Sequence, residues 1–305
     1  MFQDRELFGQ RVVFGIGVFD GVHRGHRKLL QAAVALAEEL EAIPAALTFA
    51  PHPRQVLNPG NPPPLLIPES ERMRLLRQFG MKSVSIIPFT RKLAAMQPAE
   101  FLNTLTAFSG TLCGICVGAN WHFGAHASGG AAELEKFAAE RKIRFIPVPE
   151  ERLDDTVISS TAIRRAVAAG RLSEAEAMLG RPYRLTGTVV KGYRAATCDL
   201  GRPTANLVPD EGILPPDGVY AARVFTPDGK RYPAAANLGF SPTYRRADEE
   251  RRLELHLLDF SGPLYDQEIS VELVKNLRPE RAFPNTDALR QQIEKDIAEI
   301  RKIQL

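Results

Sequence analysis

Cysteine is scarce: the 305 residues include three, at positions 113, 116 and 198. That is too few for a disulfide scaffold and fits a reducing compartment. No segment approaches the roughly 20 apolar residues that a bilayer-spanning helix needs. The opening MFQDRELFGQR has no apolar run followed by a cleavage pattern, so a cytoplasmic protein with no membrane partner is expected. Charge of one sign is not in excess either. Lys and Arg number 39 against 36 Asp and Glu, the net charge is +3, and no long basic block occurs. Nucleic acid is therefore not an expected partner. Internal repeats and low-complexity segments are absent. What remains is an ordinary globular composition, 44% hydrophobic and 25% charged, with length enough for about two domains.

Histidines number only six, and two of them share one four-residue word, His23-Arg24-Gly25-His26. It sits in VVFGIGVFDGVHRGHRKLL, residues 12 to 30, which reads as strand, glycine-rich turn and helix. Imidazoles three positions apart at a helix start can face the same way. Free N–H groups and the helix dipole there favour an anion, so a phosphate site is expected, with a nucleotide as its carrier. Gly17 and Gly21 let the chain pass close to that phosphate. Asp20 either orients a group or caps the turn. A second polar word, Ile158 to Arg164, precedes another helix. Ser159, Ser160 and Thr161 can hold a phosphate there with Arg164 reaching back, or can serve only as an N-cap.

The first half of the chain repeats a strand-then-helix rhythm. Apolar segments at 11–16, 44–49, 83–87, 113–117 and 144–148 are short enough for buried strands. Helical text runs from Arg27 and from Ala131, the latter with Leu134, Phe137 and Ala138 as a core stripe. This spacing predicts an α/β unit with a parallel sheet and helices on both faces. The proline-rich run 58–70 is unsuited to a continuous element. TAIRRAVAAG and LSEAEAMLG read as short helices with Gly170 and Gly180 as C-caps. After Arg181-Pro182 the text turns strand-like at 218–225, 231–239, 251–260 and 268–274, which predicts a small antiparallel β-barrel. In LELHLL, Glu254 and His256 leave the same strand face. The closing stripe Leu289, Ile293, Ile297 and Ile300 predicts a terminal helix packed on the barrel. The domains are expected at 1–182 and 183–305.

Within the barrel text, Thr204 and Asn206 offer two hard oxygen groups that could position Mg²⁺ with ATP phosphates, or could simply form a tight turn. Cys113 and Cys116 resemble a zinc or redox pair with His122 and His126. Positions three apart on a strand face opposite sides, however, so buried thiols are the expectation.

These words resemble the nucleotidylyltransferase superfamily with its HxGH signature, and more closely the bacterial bifunctional riboflavin kinase/FAD synthetase family. The resemblance covers nearly the whole chain: TFAPHP (48–53), ISSTAIR (158–164), PTAN (203–206), GVYAA (218–222), NLGFSPT (237–243), LELHLLDF (253–260) and LRPERAF (277–283). It implies a Rossmann-like nucleotidylyltransferase module that moves AMP from ATP to FMN, and a riboflavin kinase barrel. Carried onto this chain, His23 and His26 are the catalytic contacts to the ATP phosphates, with Ser159, Ser160, Thr161 and Arg164 completing the clamp. Asn120, which can hydrogen-bond but supplies no negative charge, joins the nucleotide site, and His52 either orients the nucleotide or stabilises its own turn. Thr204 and Asn206 assist nucleotide and Mg²⁺ binding, and Glu254 is the base on the riboflavin 5′-hydroxyl. ATP, riboflavin and FMN are the implied substrates. The N-terminal module diverges from the family: Val18, Ala50, Asn120 and His122 stand where its words carry Asn, Asp or Glu, Asp and Arg. Ahead of PTAN, Thr197 and Cys198 occupy the usual Gly and Arg positions. A kinase with a weak or inactive adenylyltransferase module, or a nucleotidylyltransferase for another phosphorylated metabolite, are the alternatives.

Overall fold

The computed structural model describes residues 7, 9–108, 111–190, 204–239 and 251–303. Thr197, Cys198, Pro203 of the PTAN word and residues 240–243 of the NLGFSPT word lie outside them. The chain divides into two compact units, one of residues 1–64 and 69–162, the other of 65–68 and 163–305.

The first unit is built on five parallel strands, β1 (Arg11–Ile16), β2 (Ile43–Ala50), β3 (Ser83–Pro88), β4 (Thr111–Gly118) and β5 (Arg144–Val148), in the order β3-β2-β1-β4-β5. All five coincide with the expected apolar segments. Side-chain alternation on β1 explains the layering. Val12, Phe14 and Ile16 face a core shared with Phe101, Leu102 and Leu105 of α5 (Pro98–Phe108) and with Leu134, Phe137 and Ala138 of α6 (Ala131–Glu140). Gly15 faces the opposite side, where a Cβ would lie 3.1 Å from Leu29 Cδ2 and 3.4 Å from Ala33 Cβ of α1 (Arg24–Glu39), so the glycine lets this helix pack close to the strand. Helices therefore cover both sheet faces, as buried parallel strands require.

In this order β1 is flanked by β2 and β4, whose connections depart in opposite directions. A crevice outside the carboxyl ends of the strands at such a reversal is where open α/β sheets bind ligands. The segments following β1, β2 and β4 all emerge there.

Helices α2 (Pro53–Leu57), α3 (Glu69–Gln78) and α4 (Arg91–Ala94) and a two-stranded hairpin of β6 (Arg152–Leu153) and β7 (Thr156–Val157) also belong to the first unit, and α7 (Ser160–Ala168) follows the hairpin. The second unit holds α8 (Leu172–Leu179) and a closed antiparallel barrel of six strands: β8 (Arg184–Val190), β9 (Ala205–Glu211), β10 (Gly218–Phe225), β11 (Arg231–Gly239), β12 (Arg252–Leu257) and β13 (Glu268–Arg278). Neighbours run β10-β11-β12-β9-β8-β13, and β13 closes back on β10. Strands β8 and β9 were not among the four segments expected from sequence. Leu253, Leu255 and Leu257 of β12 point into the barrel, so Glu254 and His256 point out. Gly180 caps α8 in the left-handed region, as expected. The terminal helix, Thr286–Ile300, uses its apolar stripe in two ways. Ile300 and Ile297 pack with Ala221, Leu258 and Leu277, whereas Leu289 and Ile293 line a cavity. Among the described residues no helix is long and apolar enough to cross a membrane.

Candidate active sites

The first constellation forms at the end of β1. Phe19 (φ 56°), Gly21 (φ 82°) and Val22 (φ 39°) are all left-handed, a conformation that costs a β-branched residue such as Val22 about 1–3 kcal/mol. The surroundings hold this turn. The Val18 carbonyl accepts hydrogen bonds from buried Thr48 Oγ1 at 3.0 Å and from buried Arg72 Nη1 at 3.1 Å. Gly17 has a structural reason beside any ligand, since a Cβ there would meet the Phe19 ring at 3.1 Å.

His23 is the N-cap of α1, its Nδ1 accepting from the His26 backbone N–H at 3.3 Å. The two imidazoles stack, with centroids 3.6 Å apart and planes 18° from parallel, and Phe19 meets His26 edge-on at 5.2 Å. His23 and Asp20 are buried. The stack brings two imidazoles to the positive end of a 16-residue helix.

The second polar word arrives at the same place. Ser160 Oγ donates to the Asp20 carbonyl at 2.8 Å, and Ser159 Oγ accepts from the Ala162 N–H at 3.2 Å, capping α7 (Ser160–Ala168). Thr161 occupies the exposed first turn of α7, and Arg164 is buried one turn on. Asn120 lies two residues beyond β4, its Nδ2 donating to Glu150 Oε1 at 2.7 Å, and its carbonyl meets His122 Nδ1 at 2.9 Å. His52 lies two residues beyond β2. Its Nδ1 accepts from the Arg54 N–H at 3.1 Å while Gln55 Oε1 accepts from the His52 N–H at 3.0 Å, a capping box on the short helix Pro53–Leu57. Thus Gly17, Asp20, Gly21, His23, His26, Ser159 and Ser160 gather at one end of β1, and His52 and Asn120 follow the strands on either side.

The second constellation is on the barrel. Glu254 pairs across β12 with Asn206 of β9 on one side and with Asn237 of β11 on the other. Directly opposed residues share a face with Cβ atoms roughly 4.5–5.5 Å apart, so these side chains form a polar row across three strands. Glu254 opens onto a cavity of about 320 Å³ with Thr204, Asn237, His256, Glu280 and Phe283 on its lining. Thr204 also lines a second cavity of about 350 Å³, bounded by Val189, Leu257, Phe260 and Tyr265. Burial first, and then the charge of Glu280, raise the proton affinity of Glu254 above that of an ordinary glutamate. Asn237 Nδ2 reaches Glu280 Oε1 at 3.4 Å.

Sequence reasoning missed Asn237, Glu280 and the part of the cavity wall that carries Arg278, Arg281 and Asp296. In that wall Arg278 donates to both oxygens of Asp296, and Gln292 bonds Asp296 and Arg281. Asn237 had a signal, because it falls in register with Glu254 once the β11–β12 hairpin is aligned.

Two family models tile the chain: FAD synthetase over residues 7–162 and riboflavin kinase over residues 179–304. The chain belongs to the bacterial bifunctional riboflavin kinase/FAD synthetase family. Among curated relatives, the bifunctional riboflavin kinase/FMN adenylyltransferase of Pseudomonas fluorescens is 34% identical over 294 residues, 94% of this chain and 91% of its own. Its counterpart from Escherichia coli strain K12 is 34% identical, covering 93% and 90% of the two chains. A crystal structure described as a macrolide-efflux protein from Streptococcus pneumoniae is 29% identical. It aligns with a TM-score of 0.87 over 97% of this chain and 95% of that one. The FAD synthetase segment falls in the first unit apart from residues 65–68, the riboflavin kinase segment falls in the second, and residues 163–178 of the second unit belong to neither segment.

Among the described residues, the thiols of Cys113 and Cys116 belong to neither constellation. Cys113 and Cys116 are buried, and burial pushes the Cys116 thiol up to about 12. Among the described residues no group of three or more His, Cys, Asp or Glu side chains is arranged to hold a metal, and His122 and His126 are exposed.

Proposed function

We propose that this chain makes FAD in two steps, phosphorylating riboflavin to FMN and then transferring AMP from ATP to FMN with release of pyrophosphate. The observation that carries the reading is the presence of two separate polar constellations, each within the segment matched by the corresponding family model. Adenylyl transfer is assigned to residues 1–182 and the kinase to residues 183–305.

In the kinase step the riboflavin 5′-hydroxyl attacks the ATP γ-phosphorus, Glu254 accepts its proton, and the bond from the γ-phosphorus to the β–γ bridging oxygen breaks to release ADP. A carboxylate whose proton affinity is raised by burial is a better base at neutral pH than an ordinary one, provided it stays ionised. Asn206 and Asn237 flank it with groups that fix its orientation. The apolar part of the cavity beside Glu254, Val219, Phe283, Leu289 and Ile293, suits a planar ring system, and Thr204 adjoins both cavities. Mg²⁺ fits the donor set of Thr204 and Asn206, which are neutral hard oxygens near Glu254. The ion would be held chiefly by ATP phosphates and water, consistent with few protein ligands. Bound there, it would neutralise phosphate charge.

In the second step the terminal phosphate of FMN attacks the ATP α-phosphorus, so no covalent enzyme nucleophile is needed. His23 and His26 donate to phosphate oxygens as charge builds, and Ser159, Ser160, Thr161 and Arg164 complete the clamp. His52 and Asn120 border the nucleotide.

The test is a time course with riboflavin, ATP and Mg²⁺, quantifying riboflavin, FMN and FAD by chromatography, beside a reaction begun with FMN in which pyrophosphate is also measured. Sequential appearance of FMN and FAD is expected. FMN accumulating without FAD from either start would leave a kinase alone and reject the adenylyl transfer.

A further inference from the structure

We propose that Glu151 is a positioning residue for adenylyl transfer, fastening the histidine-bearing start of α1 to the segment that delivers Ser159 and Ser160. The inference rests on the adenylyl-transfer reading above. Glu151 Oε1 accepts from Arg24 Nη2 at 2.9 Å, and Oε2 pairs with Lys28 Nζ at 3.4 Å. Arg24 and Lys28 are four apart, so one carboxylate grips one face of the first turn and a half of the helix. The same residue holds the other polar word through its main chain, its carbonyl accepting from the Ile158 N–H at 2.9 Å. Ile158 immediately precedes Ser159.

The third observation explains the glycine inside the histidine word. A Cβ on Gly25 would lie 3.3 Å from His23 Nδ1 and 3.7 Å from Glu151 Cβ. The tight approach is to the imidazole, while the Glu151 stem lies beside the same position at ordinary van der Waals distance. Glycine inside a helix costs up to about 1 kcal/mol relative to alanine, and what it gains here is this close approach.

The ion pairs are half-exposed: the side chains of Arg24, Lys28 and Glu151 are 39%, 42% and 26% accessible. Such pairs add little to folding. Their effect is geometric, holding His23 and His26 in line with the serines across two chain segments more than 120 residues apart. Misalignment of this kind appears in the chemical step, where histidines meet developing charge, more than in ground-state binding.

The experiment uses the full chain, with kcat and KM measured for FAD formation from FMN and ATP, and riboflavin phosphorylation measured on the same preparation. Glu151→Ala is expected to lower kcat for FAD formation about tenfold, with KM for ATP within about twofold and FMN formation unchanged. Glu151→Gln keeps the length and an oxygen for Arg24, and is expected to retain more than about half of kcat. An unchanged kcat in the alanine variant, an effect on KM for ATP alone, or a glutamine variant as impaired as the alanine one would each overturn the proposal. If Glu151→Ala does not fold, removing the anchor from the other side with Arg24→Ala and Lys28→Ala together must give the same loss of kcat, and its absence overturns the proposal equally. A parent chain that forms FMN but no FAD would instead refute the adenylyl-transfer reading, and this inference with it.

Discussion

The wall of the Glu254 cavity depends on a buried carboxylate, and replacing Asp296 by Asn tests how much. The Asp296 side chain is 7% exposed within the terminal helix. Its Oδ2 accepts from Arg278 Nε at 3.0 Å and Nη2 at 2.9 Å, while Oδ1 accepts from Gln292 Nε2 at 2.8 Å. Asn keeps the shape and one acceptor, removes the charge, and turns an amide NH₂ toward groups that are all donors. Removing one partner of a buried pair costs about 3–5 kcal/mol. The Arg278 side chain is 16% exposed, so water relieves part of the orphaned charge; the lower end, about 3 kcal/mol, applies. At about 2–4 °C per kcal/mol for a unit of this size, the transition of the barrel unit should fall by about 6–12 °C. Calorimetry of the full chain reads this directly. Arg278 also lines the cavity, and Gln292 carries Arg281, so KM for riboflavin should rise while kcat is largely kept, because Glu254 sits on a strand the change does not touch. A transition moved by less than about 2 °C, or a fall in kcat at unchanged KM, would refute this account of the wall.

Glu254→Gln should lower riboflavin phosphorylation by about 10²–10⁴-fold and spare FAD formation from FMN. The same variant tests the buried charge. Because the fold raises the proton affinity of Glu254, that stabilisation is complete below the ordinary glutamate value of roughly 4.3 and is lost as pH rises through the raised one. Melts in metal-free buffer should therefore find the glutamine variant more stable than the parent at pH 7 and level with it near pH 4. His26→Ala should lower FAD formation by about 10²–10³-fold, as removal of one donor to developing charge does, with FMN formation intact. Asn120→Asp sets a second carboxylate against Glu150 across a 2.7 Å contact; like charges at an exposed site cost about 1 kcal/mol, so FAD formation should drop about fivefold. A gain in that assay would mean the site needs a carboxylate at position 120 itself.

The α/β unit was legible because buried parallel strands write continuous apolar runs, and each of the five strands lies on one. The barrel was less so. In RLTGTVV, residues 184–190, a glycine and two threonines dilute the apolar alternation, and ANLVPDE, residues 205–211, carries a proline and two acids. Both strands hold their place through ladder pairing, β8 to β13 and β9, β9 to β12, rather than through side-chain pattern. Gly187 shows the same cause at one atom: a Cβ there would overlap the Val208 carbonyl at 2.1 Å, so the residue that weakens the strand pattern is the one that lets two backbones cross.

Legibility at the candidate sites follows a similar divide. Side chains that meet phosphate must carry hydrogen-bond donors, as histidine, serine, threonine and arginine do, so they are visible as words. The groups that hold those words in place are carbonyls and cross-strand neighbours, which leave no fixed letter. Val18 departs from the family in its side chain, yet it contributes through its carbonyl, which takes both Thr48 and Arg72 and would do so with many side chains in place. Asn120 reads as a lost negative charge when the word is taken alone. Parallel pairing sets Gly118 beside Val148, and two residues further on each strand the register brings Asn120 to Glu150. A carboxylate is thus present beside position 120, supplied from the neighbouring strand end, and an aspartate in that place would repel it. Charge lost at one position and kept 30 residues away can be recognised only after the register is known. The departures of this module from its family words are therefore weaker grounds for an inactive adenylyltransferase than their count suggests.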